Sequence, residues 1–131
     1  MLILDTNAWL AWTSWPSRIT PKAARAIAEE EPKNGIILSA ISVWEVAAKA
    51  ALGKLVLDRD VRQWVRFAST YPGVNVVPVE PSDALESATL PGDPPRDAAD
   101  RVIIALARRL DCPIVTGDRA MRAYRHVKTI W

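Results

Sequence analysis

The chain has 131 residues, 50% hydrophobic and 24% charged, with a net charge of +2. That is ordinary for a soluble globular chain and long enough for one domain with a proper core. No apolar run approaches the ~20 residues of a bilayer span, and one cysteine excludes an internal disulfide framework, so the expected address is cytoplasmic.

Met1-Leu2-Ile3-Leu4 predicts a buried strand, with Asp5 the first polar residue at its carboxyl edge. Asp5 and Thr6 also suit the cap of a helix from Ala8 to about Thr13, which Pro16 stops. Thr20-Pro21 starts a second helix, which runs through Ala23, Ala24, Ile27 and Ala28 to three solvated glutamates. Ile36 to Leu38 predicts the second strand, and Ser39 to Leu52 a helix ended at Gly53. Ser42-x-x-Glu45 has the form of a capping box. Glu45 thus has two readings: a cap, or an acid early in this helix, near the edge where Asp5 emerges.

Asp58 or Arg59 starts a further helix with Val61, Trp64, Val65 and Ala68 on one face, and Val74 to Val77 predicts the third strand. Ser82 suits the cap of a short helix, Ala84 to Thr89, before the proline-rich loop Leu90 to Pro95. Asp97 and Asp100 then lie one turn apart at the head of an apolar, basic-edged helix that ends at Leu110. Cys112 reads as a small core residue. Ile114-Val115-Thr116 is a short β-branched strand, followed at once by Gly117 and Asp118. A short helix with Met121 and Tyr124 and an edge strand, Val127 to Ile130, complete the chain. Strands alternating with helices predict a single α/β domain over residues 1–131, with a parallel sheet covered on both faces.

In such a sheet, ligands bind in the crevice beyond the carboxyl ends of the strands. Asp5, Glu45, Asp100 and Asp118 can face one such crevice, with Asp97 a possible fifth acid. Crowded carboxylates raise one another's pKa unless a cation neutralises them. The set is all oxygen and the lone His126 lies off the pattern, which suits Mg²⁺ or Mn²⁺ and not zinc. Such a centre binds phosphate, activates water and stabilises the leaving oxygen of a phosphodiester. Thr6, Asn7, Ser42 and Thr116 are candidates to orient ligands or waters around it. Basic residues crowd the chain from Arg96 onward, and Arg96, Arg101 and Arg119 stand beside the acids, as a polyanionic substrate requires; a solvated basic face is the rival reading. Six tryptophans are many for this length. Core packing is the default for them, a partner surface on the helices bearing Trp9, Trp12, Trp44 and Trp64 is the rival, and stacking on unpaired RNA bases is a third reading.

Four segments carry a resemblance: Leu4-Asp5-Thr6-Asn7; Ser42-Val43-Trp44-Glu45 with Lys49; Arg96-Asp97-x-x-Asp100-Arg101-x-x-Ile104-Ala105; and Val115-Thr116-Gly117-Asp118. In this order and spacing they resemble the PIN-domain ribonucleases, and within them the VapC-type toxins of bacterial type II toxin–antitoxin systems. The resemblance spans essentially the whole chain. It implies a three-layer α/β/α sandwich around a parallel sheet of about five strands, and Mg²⁺- or Mn²⁺-dependent endonucleolytic cleavage of RNA. It also implies a homodimer and a cognate antitoxin that blocks the site. The family's metal-binding acids fall on Asp5, Glu45, Asp100 and Asp118, and an accessory acid of one branch falls on Asp97. That branch usually has histidine before the Arg-Asp pair, where this chain has Pro95. Three other readings stand beside it: a chromosomal RNA-processing nuclease of the same family, a non-catalytic protein-binding module, and a phosphatase with a nucleophilic aspartate after strand one. Many such phosphatases carry a second aspartate two residues on, and here that position is Asn7.

Overall fold

The computed structural model describes residues 1–131. Strand β1 (Leu2–Leu4) leads into α1 (Thr6–Ser14), a 3-10 turn at Pro16–Arg18, and α2 (Pro21–Glu30). Strand β2 (Ile36–Ser39) is followed by α3 (Ala40–Ala51) and α4 (Val61–Ser69), and β3 (Val74–Val77) by α5 (Pro81–Ala88) and α6 (Ala98–Leu110). Then come β4 (Ile114–Val115), the short α7 (Arg119–Ala123) and β5 (Thr129–Ile130). All pairings are parallel, in the order β3-β2-β1-β4-β5.

Strands β1, β2 and β4 are buried at every position, as strands covered on both faces must be. Side chains alternate across a strand, so each strand feeds two cores. Leu2, Leu4, Ile36, Leu38 and Val115 join Trp9, Ile27, Val46 and Trp64 in one of them. Ile3, Ile37 and Ile114 join Ile103, Ile104, Leu106 and Met121 in the other. The result is the expected three-layer sandwich, with α1 to α4 against one face and α6 and α7 against the other.

Several local expectations are corrected. The Ser42-Glu45 capping box does not form: Ser39 caps α3, accepting from the Ile41 N–H at 3.2 Å, which leaves Ser42 fully buried inside the helix. Helix α4 begins at Val61 with Asp60 as its cap, and α5 begins at Pro81, ahead of Ser82. The edge strand shrinks to Thr129–Ile130. Trp9 and Trp64 leave the list of partner-facing residues. Both are fully buried, meet edge to face at 4.8 Å, and satisfy their indole N–H groups internally, on Ala68 O at 3.2 Å and Ser14 Oγ at 2.8 Å. Trp12 is half-buried against Tyr71, whereas Trp44 is 62% exposed. Cys112 is a buried thiol, with its pKa pushed up by burial. No helix is long and apolar enough to cross a membrane.

Candidate active site

From the central strand β1 the chain winds outward through β2 to β3, while β4 and β5 lie on its other side. The gap beyond β1 and β4 is therefore a topological switch point, where α/β sheets hold their ligands. The Asp5 N–H donates to Val115 O at 3.1 Å, so sheet pairing sets Asp5 beside Thr116.

Asp5 is 3% exposed and both its oxygens are engaged. Oδ1 accepts from the Ala8 N–H at 2.7 Å as the cap of α1, and Oδ2 accepts from the Thr116 hydroxyl. Capping and site lining are thus served by one carboxylate. Thr116 Oγ1 in turn accepts from the Asp118 N–H at 3.0 Å, which ties the two acids to one hydroxyl. Asp118 caps α7 through Oδ1, at 2.9 Å from Met121 N, and keeps Oδ2 open. Asp97 caps α6 by accepting from the Asp100 N–H at 2.9 Å. Asp100 stands in the first turn of α6, and its own carboxylate accepts no hydrogen bond from the protein.

Across the contact between α1 and α3, Thr6 Oγ1 lies 2.6 Å from Glu45 Oε1 and 2.9 Å from Ser42 Oγ. A hydroxyl has one proton, and the carboxylate is the stronger acceptor. Thr6 therefore donates to Glu45, and Ser42 donates to Thr6. Glu45 Oε2 pairs with Lys49 Nζ at 2.8 Å, one turn on.

These residues surround one cavity of about 260 Å³, lined by Asp5, Thr6, Asn7, Glu45, Lys49, Asp97, Asp100 and Asp118 and by no hydrophobic side chain. Burial pushes Asp5 up to about 6, against the hydrogen bonds from Thr116 and Ala8, and the charges of Asp118 and Glu45 push the same way. Burial likewise raises Asp100 to about 7, helped by Asp97, Asp118, Glu45 and Asp5. Five acids against one lysine is a site short of positive charge. As placed, no three acids converge on a single point at direct coordination distance. Asp100 and the second oxygens of Asp97 and Asp118 are open, while Asp5 and Glu45 are already oriented by hydroxyls. This donor set fits a hard cation that keeps part of its water shell, as Mg²⁺ does. A larger cavity of about 530 Å³, walled by Arg108, Arg125, His126 and Lys128, lies at the amino edge of β4 and β5 and contains none of these acids.

The expected arginines are less central. Arg101 is half-buried and its Nε donates to Pro95 O at 2.6 Å, so it clamps the loop ahead of α6. Arg96 is exposed beside Arg125 and His126, and Arg119 is exposed at the first position of α7; neither lines the acid cavity. Lys49, quoted with the second motif but given no role there, lines the acid cavity and pairs with Glu45 at i, i+4. Arg18, in a neighbouring cavity with Asn7 and Asp118, carried no local signal.

A PIN-domain family model matches residues 2–127. The chain belongs to the PIN-domain family. This PIN domain is 32% identical to ribonuclease VapC22 of Mycobacterium tuberculosis over 99% of the chain and 98% of that protein. Its fold is similar to that of FitAcB from Neisseria gonorrhoeae, at 22% identity and a TM-score of 0.62, over 98% of this chain and 96% of that one. It is also similar to a chain of VapBC2 from Rickettsia felis, solved bound to a promoter DNA fragment, at 12% identity and a TM-score of 0.68, again over 98% and 96%.

Proposed function

We propose that this PIN domain is a Mg²⁺- or Mn²⁺-dependent endoribonuclease and the toxin of a toxin–antitoxin pair. The observation that carries the chemistry is the gathering of Asp5, Glu45, Asp100 and Asp118 around one polar cavity at the switch point. The 32% identity to a VapC ribonuclease over the whole chain supports the substrate and the biological role.

In this reading Asp5, Glu45, Asp100 and Asp118 hold the cation, directly or through water, and Asp97 borders it. The bound cation supplies water activation and neutralises charge developing on the phosphodiester. The chain's own groups do the rest. Thr116 fixes the rotamer of Asp5 and the entry of α7. The Ser42–Thr6 relay aims Glu45 at the cavity. Lys49 adds positive charge at the rim, with Arg96 and Arg119 further out to draw in the polyanion. Exposed Trp44 on α3, with half-buried Trp12 on α1, is the proposed contact for a cognate antitoxin, and the active form is a homodimer in the cytoplasm. Trp44→Ala should weaken antitoxin binding while leaving RNA cleavage intact; unchanged affinity removes Trp44 from that surface.

The decisive test is RNA cleavage by the purified chain with Mg²⁺, with Mn²⁺ and with EDTA, beside Asp5→Asn and Asp100→Asn. Cleavage should require the cation and disappear in both variants, with the circular dichroism spectrum nearly unchanged. Full activity in either variant, or in EDTA, defeats the assignment.

A further inference from the structure

Beside the acid cavity, and sharing Asn7 and Asp118 with it, lies a second cavity of about 460 Å³ walled by Trp15, Leu55, Arg18 and Trp131. We propose that it receives one unpaired nucleobase of the RNA strand, next to the phosphodiester that the acids address. This rests on the ribonuclease reading above and adds a substrate subsite to it.

Size and chemistry agree. The volume falls within the ~300–1,000 Å³ of small-ligand sites, enough for a nucleotide but not for a duplex. Two indoles stand in its wall, and aromatic faces are what single-stranded RNA uses when a base leaves its stack. The Arg18 guanidinium lies 4.9 Å from the Trp15 ring centre, so a cation already sits over that indole and remains exposed to meet a phosphate. Asn7 is exposed and its side-chain amide makes no hydrogen bond within the protein, which leaves both donor and acceptor for a base edge.

The position of the second indole is built in. A Cβ added at Gly117 would stand 2.7 and 2.8 Å from atoms of the Trp131 ring. Only glycine lets the indole lie against the chain there. The neighbour of Gly117 is Asp118, so the aromatic wall is registered against the acid cluster through one peptide bond.

The test uses short single-stranded RNAs carrying 2-aminopurine at each position in turn, bound to Asp100→Asn so that turnover does not interfere. Fluorescence should be quenched at one position. Trp131→Ala should reverse the quenching and lower affinity roughly 5- to 150-fold, and Trp131→Phe should restore most of it. Trp15→Ala repeats the measurement if Trp131→Ala does not fold. In the wild-type enzyme, an abasic nucleotide at the quenched position should raise KM far more than it lowers kcat. Equal quenching and affinity in folded Trp131→Ala and Trp15→Ala overturns the proposal. Weakened binding of a partner protein with RNA binding unchanged overturns it too and reassigns the cavity. Absence of metal-dependent cleavage by the wild-type chain would strike at the ribonuclease reading instead, and the fluorescence scan decides the cavity separately.

Discussion

Asp5 and Asp83 are the same residue type at nearly the same burial, 3% and 2% exposed, and their surroundings push them in opposite directions. Asp83 faces Arg109 across the seam between α5 and α6, in a two-pronged pair with Nε–Oδ1 at 2.7 Å and Nη2–Oδ2 at 2.9 Å. The guanidinium holds its carboxyl below the usual range. Nearby, Arg108 makes a single contact to the half-buried Glu86 at 2.9 Å and gives its Nη1 to His126 O. Burial with no cation to offset it pushes the Asp5 carboxyl up to about 6 in spite of its two hydrogen bonds, and the acids beside it add to the rise. A buried acid with its own counter-charge stabilises the fold. A buried acid left among acids marks a place where the counter-charge comes from elsewhere.

The contrast predicts a clean division of phenotype. Asp100→Asn removes one of the open carboxylates and should lower kcat/KM on the order of 10³-fold or more, with no loss of stability and a gain near neutral pH when no divalent cation is present. Asp83→Ala should do the reverse. It empties the seam of the buried carboxylate that pairs with Arg109 and accepts from the Glu80 N–H, so the melting temperature should fall by about 4 °C or more while kcat/KM of the folded fraction stays within about twofold. Thermal melts and single-turnover cleavage on both variants check this, and a catalytic defect in Asp83→Ala would break the distinction.

Smaller in effect is the loss of a positioning group. Thr116→Val keeps the shape of the side chain but removes the hydroxyl that links Asp5 to the Asp118 amide. The expected cost is about 10- to 100-fold in Mn²⁺ affinity, read by calorimetry on the RNA-free protein. Affinity equal to wild type would mean that Asp5 is held by its capping bond to Ala8 alone.

The two kinds of acid also give opposite pH dependences. A group with a raised folded pKa binds more protons folded than unfolded, so stability falls as pH rises through that interval. Without divalent cations, stability should therefore decline from the ordinary aspartate value of 3.8 up to about 6 through Asp5 and about 7 through Asp100. Asp83 acts at the other end: its contribution is present above 3.8 and lost as pH drops through its lowered value. Urea unfolding in EDTA across this range should show both limbs, Asp100→Asn flattening the upper one and Asp83→Ala the lower. Saturating Mn²⁺ should restore stability near neutral pH, by about 2.7 kcal/mol at 100 times its Kd. A decline toward neutral pH that persists unchanged in Asp100→Asn would exclude that residue as its source.

The sequence made the carboxyl-edge acids legible because each breaks an apolar pattern at a defined place. Asp5 ends a buried strand, Asp118 follows another, and Asp97 and Asp100 open a helix. Parallel βα alternation then brings them to one edge without any knowledge of contacts. What it concealed was tertiary. Ser42-x-x-Glu45 obeyed the capping rule, yet Ser39 took the cap, because α3 follows β2 directly and Ser42 already lies inside its first turn. Asp83 carries no local signal of its role, since its arginine partner is 26 residues away. Burial of Trp9 and Trp64 and exposure of Trp44 depend on which helix faces the sheet, and no spacing within a single helix states that.

Lys49 is the finest probe of the comparison, because it is the nearest thing the acid cavity has to Arg109. It pairs with Glu45 at 2.8 Å but makes a single point contact, and it is 37% exposed on its side chain. Arg109 is equally exposed, yet grips both oxygens of its partner. An exposed i, i+4 pair contributes only about 0.3–0.5 kcal/mol, so Lys49 cannot replace a cation in this cavity. It also competes weakly with one for Glu45. Lys49→Met should therefore cost little stability and tighten Mn²⁺ binding by roughly twofold, the factor that 0.3–0.5 kcal/mol supplies. RNA affinity should fall at the same time, because a positive charge has left the rim. If Mn²⁺ binding weakened instead, Lys49 would be supporting the ligand geometry of Glu45, and the lysine would belong with Thr6 and Thr116 among the positioning groups.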